Sequence, residues 1–169
     1  MIRNKSGFTF TELMTVLGII AIASAIAVPN FISWIPKRKL GIASREMLSA
    51  METARMRAVR ERSNVIIQFP DNSNYMVWVD NGAGVGGAAN DGVRNGTEPL
   101  IRNGSVPAGI TITSANFSGN TSFLFDRRGF PLDLFGNPTN GQVRITNPKD
   151  GDFRDVNLSF GGNVSISRP

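Results

Sequence analysis

The 169 residues suffice for one domain of ordinary size and one further element. The chain has no Cys and no His, which excludes disulfides, thiol nucleophiles, Ser-His-Asp triads and histidine-ligated metal sites. The net charge is +5, but residues 63–169 carry eight basic and nine acidic side chains, a balance of −1. This balance argues against nucleic acid as a partner of the C-terminal part.

The first element in chain order is an apolar stretch. Arg3 and Lys5 precede it, and from Phe8 to Ile35 the only charged residue is Glu12. The apolar region of a cleaved signal peptide is about 7–15 residues long, whereas a helix that spans a bilayer needs about 20. Residues 8–36 are therefore predicted to form a transmembrane helix. The positive residues before it favour a cytoplasmic N-terminus and a periplasmic head, although the basic residues 37–39 oppose this orientation.

The carboxylate of Glu12 stands out in this stretch. A charged side chain inside a bilayer costs about 2.5–3.5 kcal/mol on insertion scales. One interpretation is that Glu12 lies at the membrane edge and is solvated. The other is that it needs a partner: cleavage after Gly7 would give Phe8 a free amine one helical turn away. Such a pair in an assembled apolar core would also fix the register between subunits.

This region resembles the prepilin signature of type IV pilins and type II secretion pseudopilins. The resemblance is carried by an N-terminal motif and by Ala27-Val28-Pro29-Asn30-Phe31 at the end of the apolar run. The N-terminal motif is Gly7-Phe8-Thr9-Phe10-Thr11-Glu12-Leu13-Met14. The resemblance implies that residues 1–7 are a leader, which a prepilin peptidase removes between Gly7 and Phe8. It also implies an N-methylated Phe8, Glu12 as the residue that sets register in the filament, and a helix kink at Pro29.

The helix is predicted to continue through residues 37–62. Apolar residues recur there at steps of three and four, and charged residues fill the other faces. The apolar positions are Leu40, Ala43, Met47, Met51, Ala54 and Ala58. A helix from Phe8 to about Arg62 would be about 80 Å long. We expect its first half to be buried in lipid or in a helix bundle, and its second half to lie on the head. An ordinary core helix joined to a separate anchor predicts the same apolar stripe.

Residues 63–169 are predicted to form a small β-rich head, since short β-type runs alternate with turn residues. Asp71–Asn74 and the pair Gly161-Gly162 are typical of hairpin turns, and Asn81–Thr97 of a long loop. The fold class is therefore α+β, with a long N-terminal helix packed on an antiparallel sheet. The predicted strands are Val65–Phe69, Tyr75–Asp80, Gly109–Thr113, Thr121–Asp126, Gln142–Thr146, Asp155–Phe160 and Val164–Ser167.

Acidic residues in and beside the long loop are weak candidates for a calcium site. Asp80, Asp91 and Glu98 offer the hard oxygen ligands that calcium prefers. Their spacing matches no EF-hand loop, and a solvated, turn-rich loop is the alternative. We expect no cofactor and no metal.

The head resembles the GspH/FimT minor subunits in patches over about the last 100 residues. The resemblance rests on residues 77–80, 91–94, 98–102 and 125–129 and on the final hairpin of residues 161–166. It implies a minor pilin or pseudopilin: a structural subunit, not an enzyme, that helps initiate or cap a type II secretion pseudopilus or a type IV pilus. The implied partners are other pilins or pseudopilins, the prepilin peptidase and the inner-membrane assembly platform.

A binding module at the pilus tip, for DNA or a surface, is the alternative function. Some pilins of this family bind DNA, and arginines would be the candidates for the contact. These candidates are Arg127, Arg128, Arg144, Arg154 and Arg168. Solvated arginines in a β-turn are the simpler interpretation of Arg127 and Arg128.

Overall fold

The computed structural model describes residues 7–83, 88–94 and 97–168, without the side chains of residues 29–33. The predicted leader, with Arg3 and Lys5, lies outside the described residues except for Gly7. The chain forms two compact units, Met1–Pro36 and Lys37–Pro169.

One helix, α1, runs from Phe10 to Glu61, which confirms the predicted long helix. The positions of Pro29 and Pro36 fall within its bounds. A kink at Pro29 stays a prediction. Arg62 follows the last turn with φ 53°, in the left-handed conformation that commonly ends helices.

Among the described residues, nine strands follow α1 and form two antiparallel sheets. The first sheet has the order β3-β2-β1-β5-β6 and the second the order β4-β7-β8-β9. The strands are β1 Asn64–Gln68, β2 Asn74–Asp80, β3 Leu100–Ser105, β4 Thr111–Phe117, β5 Ser122–Phe125, β6 Pro131–Leu132, β7 Gly141–Thr146, β8 Phe153–Leu158 and β9 Val164–Ser167. The seven predicted strands are all present, and the α+β class is confirmed.

Two strands, β3 and β6, were not predicted, and β4 extends further than expected. Strand β3 has the sequence LIRNGS, which lacks apolar alternation, and its residues are exposed or half-buried because it is an edge strand. Its pairing with β2 places Gly104 opposite Tyr75. A Cβ on Gly104 would overlap the Tyr75 ring, so the glycine makes room for a buried aromatic side chain. Tertiary packing, not local sequence, forms this strand.

The main core lies between the second half of α1 and the two sheets. The predicted stripe on α1 is fully buried in it, from Leu40 to Ala58. Phe117 and Phe123 are the aromatic centre of this core, with ring centroids 4.2 Å apart. Every residue of the core belongs to the unit Lys37–Pro169, so this unit buries an apolar core of its own.

A second, smaller cluster forms around Trp78. It consists of Ile66, Trp78 and Leu124, flanked by Met76 and Leu132. These residues alternate along β1, β2 and β5 with residues of the main core, so they lie on the opposite face of the first sheet. The indole nitrogen of Trp78 has no hydrogen-bond partner among the described groups.

Candidate functional site

The start of α1 is organised around Thr9 and Glu12. Glu12 Oε2 accepts hydrogen bonds from the Thr9 backbone N–H and the Thr9 hydroxyl, both at 3.0 Å. In return, the Glu12 N–H donates to Thr9 Oγ1 at 3.3 Å. This reciprocal pattern is a capping box, which satisfies backbone donors that the first helical turn would leave free. The Thr-x-x-Glu spacing is a sequence signal for this capping box, although the box was not predicted.

The capping box bears on the predicted cleavage. The bond between Gly7 and Phe8 lies outside it, so cleavage would leave the hydrogen bonds between Thr9 and Glu12 in place. Phe8 is 87% exposed, and open space surrounds Gly7. Among the described residues, Glu12 Oε1 accepts no hydrogen bond. One carboxylate oxygen therefore caps its own helix while the other is available to a new amine.

The segment that follows is exposed along its whole length. Residues Phe10–Val28 are long and apolar enough to cross a membrane, and none of them is buried within the described structure. Large side chains on every side of this helix are exposed, among them Leu17, Ile20 and Ile22. A helix that is apolar all round is stable in lipid or inside a bundle of other helices.

In the head, Arg55 joins α1 to two turns, a role that the sequence did not indicate. Its Nε donates to the carbonyl of Gly129 at 3.0 Å, and its Nη2 donates to the carbonyl of Gly161 at 3.1 Å. Gly162 has φ 78°, and a Cβ there would lie 2.5 Å from the Gly129 oxygen. The close approach of these two turns thus requires glycine, and Arg55 fixes both turns to the helix.

The five arginines proposed for DNA do not form one surface. Arg144 binds Asp155 through two hydrogen bonds of 2.8 Å and lies 4.2 Å from the centroid of the Phe153 ring. Arg154 neighbours Asp155 on β8 and so points to the opposite face of the sheet.

The remaining three of these arginines are exposed. Arg127 and Arg128 lie in the turn between β5 and β6, where Arg128 is 3.5 Å from Asp126. Arg168 follows β9 and is close enough to Arg154 to lower its pKa. The fold thus brings Arg154 and Arg168 together and leaves the other three elsewhere.

The weak calcium candidates include two buried carboxylates that act as backbone acceptors. Asp80 accepts hydrogen bonds from the N–H groups of Asn90 and Gly92, at 2.7 and 3.0 Å. Glu98 is 2% exposed and accepts one from Gly82 at 3.1 Å. Burial raises the pKa of Asp80, and the negative charges of Glu98 and Asp91 add to this. In the part of the chain that the structure describes, no group of three or more acidic residues could hold a metal ion.

Two family models match the sequence. The model described as type II transport protein GspH matches residues 43–162, and the prokaryotic N-terminal methylation motif matches residues 2–28. The GspH model covers most of the second half of α1 and eight of the nine described strands. The methylation motif covers the capping box and the apolar segment Phe10–Val28. A search of curated protein sequences found no match.

Solved structures of the same fold support this assignment. The type IV minor pilin FimU of Pseudomonas aeruginosa aligns with a TM-score of 0.54 and 19% identity, over 78% of this chain and 90% of FimU. The minor pseudopilin EpsH from the type 2 secretion system of Vibrio cholerae aligns with a TM-score of 0.53 and 9% identity, over 78% of this chain and 98% of EpsH. The chain belongs to the GspH family of minor pilins and pseudopilins, which are structural subunits and not enzymes.

Proposed function

We propose that this minor subunit helps initiate or cap the assembly of a type II secretion pseudopilus or a type IV pilus. The single observation that carries the proposal is the unequal packing of α1. In the described structure, none of the segment Phe10–Val28 is buried, whereas the second half of α1 is embedded in a head with a complete core. Such a subunit can leave the bilayer for a helix bundle without any change in the packing of its head.

Processing precedes assembly in this proposal. The prepilin peptidase cuts between Gly7 and Phe8, which are exposed and precede the helix. The new amine on Phe8, N-methylated, then neutralises the carboxylate of Glu12 on the same chain or a neighbour. Thr9 already binds one oxygen of that carboxylate, so its position is defined before the amine arrives.

Before assembly, the subunit is anchored in the inner membrane. The positive residues at the N-terminus place that end in the cytoplasm and the head in the periplasm. The assembly platform in the same membrane then moves the subunit into the growing filament. Glu12 pairs with the amine of an adjacent subunit there, and this contact sets the axial register because an unpaired charge in an apolar bundle is costly.

The alternative function, a tip module that binds DNA, gains no support from the arginine positions described above. It remains a prediction, tested by Arg127→Ala/Arg128→Ala: a loss of salt-dependent DNA binding in this variant would favour it.

Mass spectrometry of the mature chain, combined with a filament count, tests the proposal. We expect a chain that lacks residues 1–7 and carries one methyl group on Phe8. Deleting the subunit from cells that make the filament should reduce the number of filaments, since initiation would fail, and the wild-type chain should restore it. A mature chain that begins at Met1 would contradict the processing step. Normal filament number and length in the deletion strain would contradict the assembly role.

A further inference from the structure

Three arginines meet beside the second half of α1 and form a surface that the assembly role does not use. Arg45 lies on the helix, Arg154 on β8, and Arg168 just after β9. The guanidinium of Arg154 lies over Gly41, and its Nη1 is 3.4 Å from the position that a Cβ on Gly41 would take. A Cβ at this position would be in ordinary van der Waals contact with the guanidinium, so the Arg154 side chain lies directly against the helix.

Among the described residues, no carboxylate compensates the positive charge of Arg154. Burial lowers the pKa of Arg154, and the positive charges of Arg168 and Arg45 lower it further. No carboxylate contributes to this shift. The neighbouring Asp155 is bound by Arg144 on the other face of the sheet, and Glu46, which follows Arg45, contributes to the pKa of Tyr75.

None of the three guanidiniums forms a side-chain hydrogen bond or ion pair with a described residue. Arg154 is half-buried, whereas Arg45 and Arg168 are exposed. A half-buried charge without a partner is costly, and proteins usually pair it. The arrangement is therefore that of a site for an anion from outside the chain.

The position of this surface in the chain indicates the source of that anion. The apolar run from Phe8 to Ile35 contains 28 residues, about 42 Å of helix, which matches the roughly 40–45 Å of a bilayer with its headgroups. Trp34, an aromatic residue of the kind that favours the membrane interface, is exposed at the end of this run. Lys37 and Arg38, both exposed, come next. The basic residues thus begin where the headgroups on the head's side of the bilayer lie.

We propose that a basic cluster formed by Lys37, Arg38, Arg45, Arg154 and Arg168 binds the phosphate groups of anionic phospholipids and holds the head on the membrane before assembly. The proposal rests on the proposed membrane anchoring. The proposal also explains why basic residues lie on both sides of the span. The residues after the span bind lipid and do not decide the orientation of the span in the membrane. The carboxylates of a neighbouring subunit are the competing partner, and the test separates the two.

The test uses the full chain reconstituted in vesicles, with Trp34 as the reporter. The chain has two tryptophans, and Trp78 is buried in the head, so brominated lipids quench mainly Trp34. Vesicles contain phosphatidylcholine and a fifth of brominated lipid, either phosphatidylglycerol or phosphatidylcholine. We expect roughly twofold stronger quenching by brominated phosphatidylglycerol, with the difference decreasing as salt screens the attraction.

Two variants with the same net charge provide the comparison. Arg45→Gln/Arg154→Gln/Arg168→Gln removes three charges from the basic cluster. Arg94→Gln/Arg127→Gln/Arg128→Gln removes three from other exposed positions of the head. The first variant should lose most of the preference for phosphatidylglycerol, and the second should keep it.

Each outcome decides the proposal. Equal quenching by both brominated lipids in the wild type would overturn it, and so would an undiminished preference in the cluster variant. If the wild type shows no lipid preference while the cluster variant fails to assemble, the partner is a carboxylate of another subunit. Flotation with phosphatidylcholine vesicles tests the anchoring separately: a chain that does not float would contradict the anchoring and not the lipid preference.

Discussion

The two halves of α1 belong to one helix but differ in how their apolar side chains are distributed and buried. From Phe10 to Val28 the helix is apolar almost all round, and none of this segment is buried among the described residues. From Leu40 to Ala58 a single apolar stripe is buried, and the other faces carry charges. The second half is therefore stabilised by packing within its own unit, whereas the first half needs lipid or other helices to cover its apolar surface.

From this comparison we expect the first half of α1 to govern assembly and the second half to govern the folding of the head. A substitution in the first half should change what the subunit joins, and a substitution in the second half should change whether the head is folded. The four predictions below test this separation, from the largest expected effect to the smallest.

The largest effect is expected for Glu12→Ala, which should abolish incorporation into filaments. The substitution removes the carboxylate that we propose pairs with the amine of Phe8, while the Thr9 side chain can still cap the helix. Filament incorporation is measured by immunoblotting of sheared filaments, and the midpoint of thermal unfolding reports on the head. Glu52→Ala, an exposed carboxylate in the second half, is the control and should assemble normally. Normal incorporation of Glu12→Ala would refute the role of the carboxylate.

A core substitution in the second half should destabilise the head without a direct effect on the span. Met51 is completely buried, so Met51→Ala should lower the free energy of unfolding by about 2–5 kcal/mol. Urea unfolding of the full chain in detergent, followed by near-UV circular dichroism, measures this. The matched change Leu17→Ala in the first half should leave the unfolding curve of the head unchanged. Equal losses of unfolding free energy in the two variants would contradict the prediction that only the second half stabilises the head.

A smaller loss is expected for Arg55→Ala, which removes the contacts of α1 with two turns. The variant leaves the carbonyls of Gly129 and Gly161 without their donor, which should cost about 1–3 kcal/mol. Arg60→Ala, an exposed arginine with a long ion pair of 3.4 Å to Glu61, is the control and should change stability by at most about 1 kcal/mol. If both variants unfold at the same urea concentration, Arg55 does not hold the turns.

The smallest effect concerns pH. Burial raises the pKa of Asp80 above the ordinary value of 3.8, so the folded head binds this proton more tightly than the unfolded chain does. The contribution of Asp80 to the free energy of unfolding should therefore fall as the pH rises from 3.8 through the raised pKa, and level off above it. The difference in unfolding free energy between the wild type and Asp80→Asn isolates this effect, because Asn does not titrate. A difference that grows with pH in favour of the wild type would contradict the raised pKa.

Much of the first half of α1 and of the motif before it could be predicted from the sequence, because the signals for both are local. The apolar run, the positive residues before it and the isolated Glu12 are adjacent in the chain and need no fold to be recognised. The helical stripe and the seven strands were predicted for the same reason, since each depends on a periodicity of a few residues. The capping box between Thr9 and Glu12 was also within reach of local reasoning.

Contacts between residues that are far apart in the chain could not be predicted from the sequence. Strand β3 exists because β2 pairs with it and Tyr75 packs on Gly104, which lies almost thirty residues away. The contacts of Arg55 with Gly129 and Gly161 span 74 and 106 residues. The separation of Arg144 from Arg154 follows from the alternation of side chains on a strand whose orientation the sequence alone does not give.

The sequence by itself determined a segment long and apolar enough to span a membrane, the N-terminal methylation motif, the long helix and the α+β class. Hydrophobic length and helical periodicity are properties of neighbouring residues, and they hold in any fold. Only the tertiary structure decided which strands pair, that Asp80 and Glu98 are buried as backbone acceptors, and that Arg154 and Arg168 meet Arg45 beside Gly41. These features depend on how distant segments pack, because burial and electrostatic fields arise only when the chain has folded.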